Sequence, residues 1–206
     1  MVHKPLPSGG CYLFSVDVED VQDRLPSGDR FGKRAGLMLS KYLEFLDRQK
    51  MKATFFVVGS FARSNPSLVG EIIAEGHEVA AHGHDHVSVD SLGREGFKQD
   101  LQENLDDLRR CGAEAVLGYR APFFSFSKAT QWAYEVLEEC GFQYSSSVLP
   151  ARNPQYGWPE FGTDIRRLNN LWELPVSVAS FRGLGVPYAG GAYFRVVPFW
   201  LILYLC

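Results

Sequence analysis

The chain has 206 residues, 46% of them hydrophobic and 22% charged, a balance that supports one globular domain with a substantial core and excludes a disordered or fibrous chain. A formal net charge of −3, with no basic run, leaves nothing to neutralise a phosphate backbone, so nucleic acid is not an expected partner. No window reaches the roughly 18 apolar residues that a transmembrane span needs, and the opening MVHKPLPSGG is too polar for a secretory signal, so a cytoplasmic location is expected.

Short β-type runs alternate with helical patterns. Residues 11–18 (CYLFSVDV) read as a buried strand, followed by a helix over 35–49 and a second strand over 53–58 (ATFFVV). A helix over 66–75 comes next: Asn65 can cap it, Pro66 fits its first turn, and Gly76 supplies the left-handed residue past its end. Weaker strands at 78–81 and 115–119 flank a helix over 94–111, and a last helix over 128–140 starts at Ser127 and stops at Gly141. The apolar end, Pro198 to Cys206, reads as the beginning of a core helix. Cys11, Cys111, Cys140 and Cys206 form no CxxC pair and read as buried or idle thiols. With no repeat or linker, residues 1–206 are expected to form a single domain.

Strands alternating with helices imply an α/β architecture, a largely parallel sheet with helices outside, as an open sheet or a (β/α) barrel. Both folds place chemistry at the C-terminal ends of strands, here just after residues 18, 81 and 119.

A cluster stands at each of those places. After the first strand come Asp17, Glu19 and Asp20; Asp17 interrupts an apolar run and would be costly to bury without a cation or strong donors. Period-two geometry puts Asp17 and Glu19 on one face and Asp20 on the other. After the third strand comes His82-Gly83-His84-Asp85-His86, holding three of the five histidines in the chain. On a helical turn His82 and His86, at i and i+4, would share a face and offer two nitrogens to one metal, with His84 pointing away and Asp85 in a loop or orienting an imidazole. Two imidazoles and a carboxylate make the three-ligand set of a catalytic cation with open positions; Asp20 as a fourth ligand would make a closed structural site instead. The plainer readings, solvated carboxylates and ordinary loop histidines, remain open on these residues alone. After the fourth strand comes Gly118-Tyr119-Arg120-Ala121-Pro122-Phe123, where Arg120 can pair with Asp17, Pro122 stiffens the turn and the Phe123 N–H can face an oxyanion.

In order, these clusters resemble the polysaccharide deacetylase family, carbohydrate esterases related to the chitooligosaccharide deacetylase of nodulation. Asp17-Val-Glu19-Asp20 is similar to its acidic strand end, His82 to His86 to its His-Ser/Thr-x-x-His motif with Gly83 replacing the hydroxyl residue, and Arg120-Ala-Pro122-Phe123 to its Arg-x-Pro-aromatic motif. Leu171-Trp-Glu-Leu-Pro175 and Gly190-Gly-Ala-Tyr-Phe-Arg195 resemble the exosortase-associated branch, linked to bacterial exopolysaccharide production. The resemblance implies a distorted (β/α) barrel and a metal-dependent hydrolase that removes N-acetyl groups from an amino-sugar polymer, with zinc as the expected cation. It implies Asp17 as general base, Arg120 as its partner and Phe123 as oxyanion donor. The metal ligands it implies are His82, His86 and either Glu19 or Asp20, with Glu19 preferred on the same-face argument.

Two departures stand out. Tyr144-Ser145-Ser-Ser147 lacks the Asp that the branch often carries, and no histidine follows His86 to serve as the family's late general acid. Since such a barrel usually needs roughly 250 residues, a chain incomplete at its C-terminus is expected. Two rival functions remain: a hydrolase of the same fold acting on a small amide in a closed pocket, and a catalytically impaired metal- or sugar-binding protein. Trp158, Trp172 and Tyr193 could line a sugar groove, but core packing is the expected fate of each.

Overall fold

The computed structural model describes residues 13–20, 28, 32–153, 155–181 and 184–187. Its centre is a seven-stranded sheet. β1 (Ser15–Val18), β2 (Thr54–Val57), β3 (Glu78–Ala81), β4 (Gly118–Tyr119) and β5 (Tyr144–Ser145) run parallel in chain order, followed by β7 (Leu171–Glu173). β6 (Arg166–Leu168) closes that side antiparallel to β7, and β8 (Val178–Phe181) pairs with β9 (Leu184–Pro187) in a separate hairpin. The α/β class and the parallel sheet are as expected. Among the described residues the sheet is open, with β1 and β6 at its edges.

Helical spacing explains the core. In α1 (Ala35–Gln49) Leu39, Leu43 and Leu46 recur at i, i+4 and i+7 and are buried against the sheet. In α4 (Val89–Arg110) Phe97, Leu101, Leu105 and Leu108 do the same, and Phe97 meets Tyr119, Phe126 and Trp132 edge to face. Gly93, at φ 65° and ψ 179°, breaks the first turn of α4, so regular helix begins close to the expected position 94. The short α2 (Gly59–Ser64) precedes α3 (Pro66–Ala74) and has no counterpart among the expected helices.

Several local expectations need correction. Asn65 does not cap α3; its Nδ2 donates to the Phe61 carbonyl at 3.0 Å, closing the end of α2 instead. Ser127 does cap, accepting from the Ala129 N–H, but it opens a 3-10 turn (Lys128–Thr130), and the α-helix beyond that turn, α5 (Ala133–Glu139), is shorter than expected. Gly76 and Gly141 are left-handed, at φ 72° and 88°, as their places past helix ends required. Cys111 and Cys140 are free, half-buried thiols, and burial pushes both above the ordinary thiol value. Among the described residues no helix is long and apolar enough to cross a membrane. Tyr193 and the apolar stretch from Pro198 to Cys206 lie outside the described residues.

Two glycines give opposite predictions. Gly118 pairs with Tyr144, and a Cβ there would run into the end of the Tyr144 ring. Gly118→Ala should lower stability by about 1–3 kcal/mol, read as a fall in the urea midpoint. Gly70 lies inside α3 with nothing in the way of a Cβ. Gly70→Ala should therefore raise the midpoint, by about 0.5–1 kcal/mol in stability.

Candidate active site

Three strand ends meet as expected. The parallel ladder sets Asp17 beside Phe56, and Phe56 beside Ala80, so that the loops after β1, β3 and β4 leave the sheet on one side. Arg120 reaches back across the sheet: its Nη1 donates to Asp17 Oδ1 at 2.7 Å. Its Nε donates to the Ser146 carbonyl at 3.1 Å, its Nη2 to Ser146 Oγ at 3.0 Å, and its guanidinium lies 4.0 Å over the Phe56 ring. Asp17 thus has a cation fixed from three other directions.

The Asp17 side chain is 31% exposed. Surrounding protein pushes its carboxyl up, but Arg120, helped by the imidazoles of His82 and His86, outweighs this and holds it below its ordinary value. A carboxyl lowered in this way contributes stability above its unfolded-state value, and that contribution is lost as pH falls through the folded one.

The histidine segment is not a helical turn. It is a loop bent by Gly83 at φ 74° and by His86 itself at φ 56°, and these left-handed residues, rather than i, i+4 geometry, bring the two rings to 5.0 Å between centroids. A Cβ on Gly83 would press on Asp100 and Pro122, which accounts for glycine at a position where a hydroxyl residue was expected. His82 Nδ1 lies 2.8 Å from the Arg120 carbonyl; since a carbonyl can only accept, Nδ1 is the donor in this contact and Nε2 is the nitrogen turned toward the strand-end acids. That Nε2 stands 3.9 Å from Asp17 Oδ2. His86 Nε2 faces Glu19 Oε2 at 3.2 Å, and Phe123 packs edge-on over the His86 ring at 4.6 Å.

The remaining candidates separate. Asp20 is buried and turned toward the start of α1, where its Oδ2 accepts from the Ala35 N–H at 3.4 Å, so Glu19 is the acid that faces a histidine. His84 points away as expected, with Nδ1 3.2 Å from Asp107 on α4. Asp85 is mostly exposed, with its Oδ1 3.7 Å from His84 Nε2. Phe123 holds φ 58°, a strained turn for a non-glycine residue, and its ring is 46% exposed beside Tyr156. Trp158 packs against the core, as expected, whereas Trp172 is 41% exposed beside Arg167, so core packing was the wrong expectation for it.

Among the described residues no three His, Cys, Asp or Glu side chains stand as a complete metal cage. The donor chemistry nevertheless suits a zinc-like cation. A ring oriented through one nitrogen, with the other turned toward the site, is the usual arrangement of a histidine ligand. Ligands of a tetrahedral ion at bond lengths of about 2.0–2.1 Å sit roughly 3.3 Å apart. The His86 to Glu19 separation of 3.2 Å is of that size.

Some contributors were missed at the sequence level. Asn104 of α4 accepts from the His82 N–H and donates to the Val57 carbonyl, tying the ends of β2 and β3 together. Asp100, one turn earlier, accepts from the N–H groups of His84 and Asp85. Both are polar residues beside the apolar stripe of α4, and that interruption was the available signal. Ser146, Ser147 and Glu173 lie in stretches noted for family likeness alone, although Glu173 interrupts an apolar run in the same way.

Known proteins resemble this chain in sequence and in fold. The family model for polysaccharide deacetylase matches residues 35–145, which include His82, His86, Arg120 and Phe123; Asp17 and Glu19 precede the match. A second model, a domain of unknown function (DUF3473), matches residues 146–206. A chitooligosaccharide deacetylase of Sinorhizobium fredii is 35% identical over 82 residues, 39% of this chain and 38% of that protein. A peptidoglycan deacetylase of Helicobacter pylori is 27% identical over 138 residues, 67% of this chain and 45% of that protein. The chain thus matches less than half the length of each of these curated relatives. The crystal structure of a provisionally assigned polysaccharide deacetylase from Mycobacterium smegmatis superposes with a TM-score of 0.65 at 25% identity, covering 87% of this chain and 64% of that one. With more than half of its residues matched by the family model, the chain belongs to the polysaccharide deacetylase family.

Proposed function

We propose that this protein removes N-acetyl groups from an amino-sugar polymer, with Asp17 as general base and a divalent cation, zinc by ligand type, held by His82, His86 and Glu19. The observation that carries the reading is His82, whose Nδ1 is bound by the Arg120 carbonyl and whose Nε2 is turned toward Asp17, so that one side chain links all three strand-end clusters. The chitooligosaccharide and peptidoglycan deacetylases among its relatives support an N-acetylated glycan as the substrate class. The likeness of Leu171 to Pro175 to the exosortase-associated branch favours an exopolysaccharide.

The cation would acidify a bound water and polarise the acetamide carbonyl. Asp17, kept ionised and aimed by Arg120, accepts the proton of the attacking water at Oδ2, the oxygen that Arg120 leaves open. The Phe123 N–H donates to the oxygen on which charge develops. Asp17, protonated by then, is the acid at hand when the amine leaves. Asp17 is partly exposed and Phe123 stands exposed beside Tyr156, an accessible, aromatic-flanked arrangement that suits a sugar chain better than a small amide in a closed pocket.

Acetate release from N-acetylglucosamine oligomers, measured with and without a chelator, tests the proposal. Asp17→Asn should lower the rate by about 10²–10⁴-fold, the usual contribution of a general base. Equal rates in both proteins would remove Asp17 from that role. A pH profile gives a second test, because activity should fall in acid as Asp17 is protonated, below its ordinary value of 3.8. In Arg120→Leu the effect of burial is no longer opposed by that cation, so the acid limb should move up. A limb that stayed in place would show that Arg120 does not set the state of Asp17.

A further inference from the structure

Glu173 ends β7 with a fully buried side chain, and among the described residues no lysine or arginine pairs with it. Burial pushes its carboxyl above the ordinary range. A lone acid in a core is costly unless it satisfies groups that would otherwise be unmet. Its Oε1 accepts from the N–H of Ser147 at 2.8 Å and of Val148 at 3.0 Å, and its Oε2 accepts from the Tyr134 hydroxyl at 3.2 Å. Those N–H groups belong to the turn after β5, whose three serines continue the chain of contacts. Ser145 Oγ donates to Ser147 Oγ at 2.7 Å, and Ser147 Oγ accepts from the Ala121 N–H, next to Arg120, at 2.8 Å. The Ser146 carbonyl and hydroxyl take two arms of the Arg120 guanidinium, and the third holds Asp17.

We infer that Glu173 is a positioning residue for the reaction: through the Ser145–Ser147 turn it fixes the direction in which Arg120 presents its guanidinium to Asp17. The catalytic part of this inference rests on the deacetylase reading above. Ser146, Ser147 and Glu173 all fall in the stretch matched by the domain of unknown function, whereas Arg120 falls in the deacetylase match. That second stretch therefore builds the far wall of the arginine clamp, and the deacetylase segment alone would hold its key cation poorly.

The test compares Glu173→Gln, which keeps an acceptor oxygen at the same reach, with Glu173→Asp, which keeps the acid but withdraws it by one methylene. Two readouts are taken on the full chain: hydrogen exchange of the Arg120 Nε–H by NMR, and kcat and KM for acetate release. Loss of one hydrogen bond's worth of restraint predicts about 10-fold faster Arg120 exchange and a similar fall in kcat in the Asp variant, with KM and the Gln variant staying within about twofold of the parent. Unchanged Arg120 exchange in a folded Asp variant would overturn the inference and leave Glu173 with a role in stability alone. Equal impairment of the Gln and Asp variants would overturn it as well. If the Asp variant does not fold, Ser147→Ala cuts the same chain one link later, and unchanged exchange there is equally fatal. A parent that releases no acetate, but whose Asp variant shows faster Arg120 exchange, would refute the deacetylase reading while supporting the positional one.

Discussion

The ion pair of Asp17 and Arg120 is the contact around which the site is organised. A carboxylate at the end of a parallel strand is expensive to desolvate, and so is a guanidinium whose side chain is only 11% exposed. Each is tolerable because the other is there. Nε and Nη2 of Arg120 donate to Ser146, and the face of its guanidinium rests on Phe56, so each of its three nitrogens has a partner. The two partners stand 103 positions apart in the chain, and only a sheet in which β1, β2, β3 and β4 lie side by side brings them together.

Polar residues in otherwise apolar positions serve the same centre. Asn104 and Asp100 of α4 spend their hydrogen-bonding capacity on backbone groups at the end of β2 and in the segment after β3. They hold a loop with two left-handed residues, Gly83 and His86, and a similar constraint acts on Phe123 and Phe124 after β4. Such conformations cost of order 1–3 kcal/mol each in non-glycine residues and persist only where the surroundings over-determine them. Among the described residues three of the five non-glycine residues with positive φ, His86, Phe123 and Phe124, stand at the site, while Lys50 ends α1 and Asn169 lies between β6 and β7. The positioning role inferred for Glu173 extends this pattern to the other flank, where a buried acid braces the turn that braces the arginine.

Membership of the polysaccharide deacetylase family accounts for the order of the clusters along the chain and for the sheet that unites them. The sheet also runs past the end of the deacetylase match at residue 145: β7 and β6, from the stretch matched by the second family model, continue it beyond β5. The two matched segments are thus joined by backbone hydrogen bonds within one sheet. Interactions across that join can be cooperative in a way that those of tethered, separate units are not.

Much of this was legible in the residues themselves. The placement of α1 and α3, the left-handed Gly76 and Gly141, and the approach of Arg120 to Asp17 came from periodicity, helix-end chemistry and the rule that chemistry sits at the C-terminal ends of parallel strands. These features are local, or depend on a fold-wide regularity, so one sequence suffices to read them. Which of Glu19 and Asp20 faces a histidine was decided by the start of α1, which claims Asp20 and leaves Glu19 opposite His86. The convergence of His82 and His86 through a bent loop, and the reach of Glu173 to the serine turn, were likewise settled by tertiary contacts. The physical reason is that a serine or a buried glutamate has no distinctive spacing of its own; its partners are chosen by packing between segments far apart in the chain, and only the folded sheet supplies them.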